Sequence, residues 1–131
     1  MVARALAAVA LLLLSGCMHG TFHPTPCAPA GAATYGTVRV QVPTTVGDGD
    51  RRVSTVGKCV ALEVPPAYTV VATARIGADG NASLPLPVQG DLHVEWREPQ
   101  PHDNACAHQG TADFHAPGTA SVVLTVGGLC Y

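Results

Sequence analysis

The stretch Asp91-Leu-His-Val-Glu-Trp-Arg97 decides the fold class of this chain. Leu92, Val94 and Trp96 alternate with His93, Glu95 and Arg97. A period of two is the mark of a strand that turns one face to a core and the other to solvent. Trp96, the single tryptophan, is expected as a core anchor on this strand.

The same period recurs on either side. In Thr37–Pro43, Val38, Val40 and Val42 alternate with Thr37, Arg39 and Gln41. Lys58–Val64 puts Val60, Leu62 and Val64 on one face, and Pro65-Pro66 ends it, because proline cannot extend a central ladder. Tyr68–Ile76 offers Tyr68, Val70, Ala72, Ala74 and Ile76 against Thr69, Thr73 and Arg75. Asn81–Pro87 carries Ala82, Leu84 and Leu86 inward, and Pro85 and Pro87 mark it as an edge strand. Gly110–His115 presents Ala112 and Phe114, and Thr119–Val126 presents Ala120, Val122, Leu124 and Val126. Turns fall at Gly77-Ala-Asp-Gly80, Gln89-Gly90 and Ala116-Pro-Gly118. Thr44–Arg52 and Glu98–Gln109 read as loops. About seven short strands with frequent turns, and no sustained helical period after the first residues, predict an all-β chain with a single small β-sandwich.

Residues 1–16 are of another kind. Thirteen of them are apolar, and they lift the whole chain of 131 residues to 47% hydrophobic. Without them the remainder is about 43% apolar, an ordinary globular value. A charged start at Arg4, an apolar run over Ala5–Leu14 and small residues Ser15 and Gly16 make a secretory signal, too short to span a bilayer. Leu14-Ser15-Gly16-Cys17 resembles the lipobox of bacterial lipoproteins. The resemblance implies diacylglycerol on the Cys17 thiol, cleavage between Gly16 and Cys17, and acylation of the new N-terminus. Two or three acyl chains on one residue make a lasting membrane anchor. Met18 stands where an aspartate retains enterobacterial lipoproteins in the inner membrane, which implies the outer membrane, facing the periplasm. The expected organisation is a signal peptide over 1–16, a lipidated N-terminus and flexible tether over 17–34, rich in histidine and proline, and a β-sandwich over 35–131.

A second resemblance covers roughly residues 36–126. Gly36-Thr-Val-Arg-Val and Ile76-Gly-Ala-Asp-Gly-Asn-Ala-Ser-Leu-Pro-Leu-Pro-Val-Gln-Gly-Asp-Leu-His-Val94 resemble the opening strand and central turn of carboxypeptidase-regulatory-like or transthyretin-like domains. Ala82 and Leu92 depart from the Phe and Tyr often found there. The resemblance implies an Ig-like or transthyretin-like sandwich and a non-catalytic accessory module.

With Cys17 taken by lipid, Cys27, Cys59, Cys106 and Cys130 remain, and four exported cysteines predict two disulfides. Three pairings are open; the preferred one joins Cys27 to Cys59 and Cys106 to Cys130. The absence of any C-x₂-C pair argues against zinc at these thiols. Gly47-Asp-Gly-Asp50 lacks the spacing of a calcium loop and reads as a solvated hairpin tip. Asn81-Ala-Ser83 fits a glycosylation sequon but reads as a turn exit. No nucleophile elbow, zinc-protease helix, P-loop or dinucleotide fingerprint is present, so no enzyme and no cofactor are expected. Without residues 1–16 the chain carries a net charge of −3, which excludes a nucleic-acid footprint. The expected function is a membrane-anchored envelope lipoprotein with a binding or structural domain for an envelope protein or glycan. The alternative is a periplasmic copper- or zinc-binding lipoprotein. It would use Met18, His19 and His23, or the group His102, Asp103, Cys106, His108, Asp113 and His115.

Overall fold

The computed structural model describes Thr25, Cys27, residues 31–47, Gly49, and residues 52–98 and 107–129. The signal, Cys17, His19, His23, His102, Cys106 and Cys130 lie outside the described residues. Among the described residues ten strands run in chain order: β1 (Thr37–Gln41), β2 (Thr45–Val46), β3 (Val53–Ser54), β4 (Cys59–Val64), β5 (Thr69–Arg75), β6 (Asn81–Pro85), β7 (Gly90–Arg97), β8 (Ala107–Ala116), β9 (Ser121–Val123) and β10 (Thr125–Leu129). They form a five-stranded sheet β10-β8-β7-β4-β5, a three-stranded sheet β6-β1-β9 and a small ribbon β2-β3. The chain is all-β.

The two larger sheets share one core. Val38 and Val40 from β1 and Ala82 and Leu84 from β6 meet Val60 and Leu62 from β4 and Leu92, Val94 and Trp96 from β7. Burying such a side chain contributes about 1.5–3 kcal/mol. Among the described residues β6 pairs with β1 alone, so its proline sits on an edge, where a missing N–H is tolerated.

Four segments depart from simple alternation. Thr44–Arg52 is not all loop: Thr45 and Val46 pair with Ser54 and Val53, and Val46 is buried. Thr55 stabilises this turn by donating its hydroxyl to the Pro43 carbonyl at 2.6 Å. In β5 the register slips beside Leu62 and Glu63, so that Glu63 pairs with Val70 while Leu62 pairs with Ala72. This bulge reverses the faces ahead of it. Val71 packs on the core, and Tyr68 and Val70 are exposed rather than inward.

The polar stretch expected to loop as far as Gln109 ends sooner, because β8 begins at Ala107 and pairs along β7 and β10. Thr119–Val126 is two strands, not one. β9 runs parallel to β1, then the chain crosses at Leu124 to pair as β10 with β8 in the other sheet. Leu124 is buried at this crossing and its N–H donates to the Gln41 carbonyl at 3.0 Å, while Ala120 is exposed.

Candidate functional site

Alternation along β4 and β7 sends Cys59, Ala61 and Glu63, and His93, Glu95 and Arg97, to the outward face of the five-stranded sheet. That face is not simply wet. Glu63 is 7% exposed and Glu95 only 4%. The antiparallel register sets His93 opposite Glu63 and Glu95 opposite Ala61 on β4, and Thr111 opposite Glu95 on β8. Diagonal neighbours lie about 7–8 Å apart at Cα, within reach of glutamate side chains. Glu63 and Glu95 are hydrogen-bonded to each other.

Two carboxyls at this distance cannot both ionise cheaply, and one holds a proton. Burial pushes Glu63 up to about 8, and the hydrogen bond and charge of Glu95 add to it against the opposing pull of Arg97. Burial also pushes Glu95 upward, but the hydrogen bonds from Glu63 and Arg97 outweigh it and hold Glu95 below the usual carboxylate range. Arg97 Nε and Gln109 Nε2 both donate to Glu95 Oε1. Near neutral pH Glu63 is the donor and Glu95 the anion of the pair.

The pair forms the floor of a groove of about 300 Å³, walled by Tyr68 and His93. The two rings meet edge to face at 5.2 Å between centroids. His93 is oriented by Asp113, Nδ1 to Oδ1 at 2.6 Å. Tyr68 follows the Pro65-Pro66 turn with φ of 56°, a left-handed backbone rare for a bulky residue. A protonated acid, a carboxylate, an amide and a guanidinium stand side by side. Such a set can hydrogen-bond a polar ligand that both donates and accepts.

The sequence-level candidates are dispersed. His108 and His115 stand on opposite faces of β8, because they lie seven positions apart, an odd offset, in a continuous strand of period two. His108 instead pairs with Glu98, Nδ1 to Oε2 at 2.6 Å. His115 pairs with Asp91 at 2.9 Å near the surface. Among the described residues no three His, Cys, Asp or Glu side chains gather as a metal site. Cys59 is joined to Cys27 by a disulfide with Cα atoms 5.4 Å apart. Sequence reasoning did not single out Glu63, Glu95 or Gln109. Their outward phase was legible on each strand, but not the contact between β4 and β7. No family model, curated protein or solved structure matches the chain.

Proposed function

We propose that this chain is a lipid-anchored protein of the bacterial envelope, held at the outer membrane and facing the periplasm, whose sandwich binds a partner rather than catalysing a reaction. The observation that carries the reading is Leu14-Ser15-Gly16-Cys17 placed directly after the apolar run. Anchoring confines the domain to a thin layer and raises its effective concentration toward a neighbour in the same layer. The groove over Glu63 and Glu95 supports a binding role, because it is concave and lined by convergent polar groups beside an exposed aromatic ring. The partner is an envelope protein or glycan that presents hydroxyl or amide groups to it.

Replacing Cys17 with alanine tests the anchor. The variant is expected to accumulate as unprocessed precursor; a Cys17→Ala protein still cut and still membrane-bound would falsify the anchor. Cross-linking in intact envelopes tests the groove. Arg97→Ala is expected to lose the cross-linked partner and Asp79→Asn to keep it. Equal capture by both would remove the groove from the binding role.

A further inference from the structure

The segment ahead of β1 is held at several points. The Thr25 hydroxyl accepts the Arg97 N–H at 2.9 Å, where β7 has run past its pairing with β4. Two residues on, Cys27 is bonded to Cys59, whose side chain belongs to the same outward face as Glu63. Gly31 passes the edge strand β5 so closely that a Cβ there would lie 2.6 Å from the Val71 carbonyl oxygen. Tyr35 then donates its N–H to the Leu86 carbonyl at 2.9 Å beside β6. From Thr25 and Cys27 at the outer face of the five-stranded sheet, the described residues pass its β5 edge at Gly31 and enter the other sheet as β1.

We propose that the Cys27–Cys59 disulfide is a clasp that shortens the lipid tether and keeps the groove-bearing face of the five-stranded sheet toward the lipid surface. This rests on the anchor reading. With the clasp closed, Cys17 is eight residue steps from Thr25, at most ~29 Å of extended chain. Opening it leaves the single Thr25 bond to hold that stretch; once that bond is lost too, the first backbone hydrogen bond to another strand among the described residues is at Tyr35, eighteen steps from Cys17, and the limit rises to ~65 Å. Mean spans change less, from ~16 to ~23 Å for a flexible chain. The point of attachment also moves. Clasped, the first described contact along the chain is Thr25 on Arg97, which lines the groove; with that stretch released, it is Tyr35 beside β6 on the other sheet. The clasp thus selects which face of the sandwich lies next to the bilayer.

Trp96 is the sole tryptophan and can report the distance by energy transfer. The lipidated protein is placed in phosphatidylethanolamine and phosphatidylglycerol vesicles carrying a dansyl headgroup acceptor. Cys27→Ser is expected to lower transfer about twofold relative to the native protein. An insertion of ten Gly/Ser residues after Met18, with the disulfide intact, is expected to lower it similarly and does not depend on the variant's stability. Vesicle-bound, folded Cys27→Ser with unchanged transfer overturns the clasp. In a second arm the unlipidated chain beginning at Cys17 carries the acceptor on that thiol, and the double variant Cys27→Ser/Cys59→Ser, which frees no Cys59 thiol to take the label, should again halve transfer from Trp96. No change there overturns the clasp whatever the lipid does. A halved signal in this arm, with no attachment of the first protein to vesicles, overturns the anchor and with it the membrane-facing role.

Discussion

Glu63→Gln should make this domain more stable at neutral pH. The folded Glu63 keeps its proton up to about pH 8, while its ordinary value is near 4.5. Between those limits the folded state binds more protons than the unfolded state, so stability falls as pH rises. The slope approaches ~1.4 kcal/mol per pH unit while the two states differ by one proton. Integrated from pH 4.5 to 7, the loss is about 2–3 kcal/mol. Glutamine replaces the acid O–H donor toward Glu95 with an amide N–H and has no proton to lose. Wild type and Glu63→Gln should coincide near pH 4.5 and diverge steadily to pH 8, with the variant the more stable. At a urea m-value of ~1.5 kcal/mol per M, the midpoints at pH 7 should differ by about 1–2 M. Glu95 does not confuse the measurement. Its folded value is depressed, so its contribution is present above its ordinary value and lost as pH falls below it, outside this window. Urea unfolding followed by Trp96 fluorescence at half-unit steps from pH 4.5 to 8.5 gives the two curves. Parallel curves across that range would refute the shared-proton pair.

Other perturbations probe the scaffold. Gly80 has φ of +82° and a Cβ there would clash with the Val42 carbonyl oxygen, so Gly80→Ala should lose about 2 kcal/mol or more, read as a lower Tm. The Trp96 Nε1–H is buried and finds no hydrogen-bond partner among the described residues. Trp96→Phe removes that orphan along with some volume and should lose about 1 kcal/mol, against about 2–5 for Leu62→Ala; equal losses would mean the indole N–H is satisfied. Cys27→Ser opens a disulfide of sequence separation 32 and should lose about 3–4 kcal/mol in chemical denaturation, with no loss expected when the native protein is already reduced.

The strand pattern was legible where strands are regular and bury one face. Val38 and Val40, Leu92, Val94 and Trp96, and Leu84 all enter the core where alternation puts them. It failed where the chain changes sheet or register. A bulge inserts one residue, and no residue between Tyr68 and Ile76 announces it, so Val70 and Val71 exchanged faces. Leu124 lies in an unbroken alternation, yet the chain crosses there from one sheet to the other. The candidate site was less legible. Glu95 was read as a solvent-facing residue, which its outward phase supported. Its burial depends on Glu63, Arg97 and Gln109 from three strands.

The sequence alone determined the all-β class, the inward residues of the regular strands and the edge position of the proline-bearing β6. Each of these is a local property, carried by period two and by a missing N–H. Only the tertiary structure decided that β4 lies between β5 and β7, which brings Glu63 to Glu95 and makes them share a proton. It also decided that strand alternation separates His108 from His115, and that Thr25 and Cys27 lie against the face carrying the groove. These contacts join residues far apart in the chain. Which strand lies beside which is set by how the whole core closes, and no single segment records it.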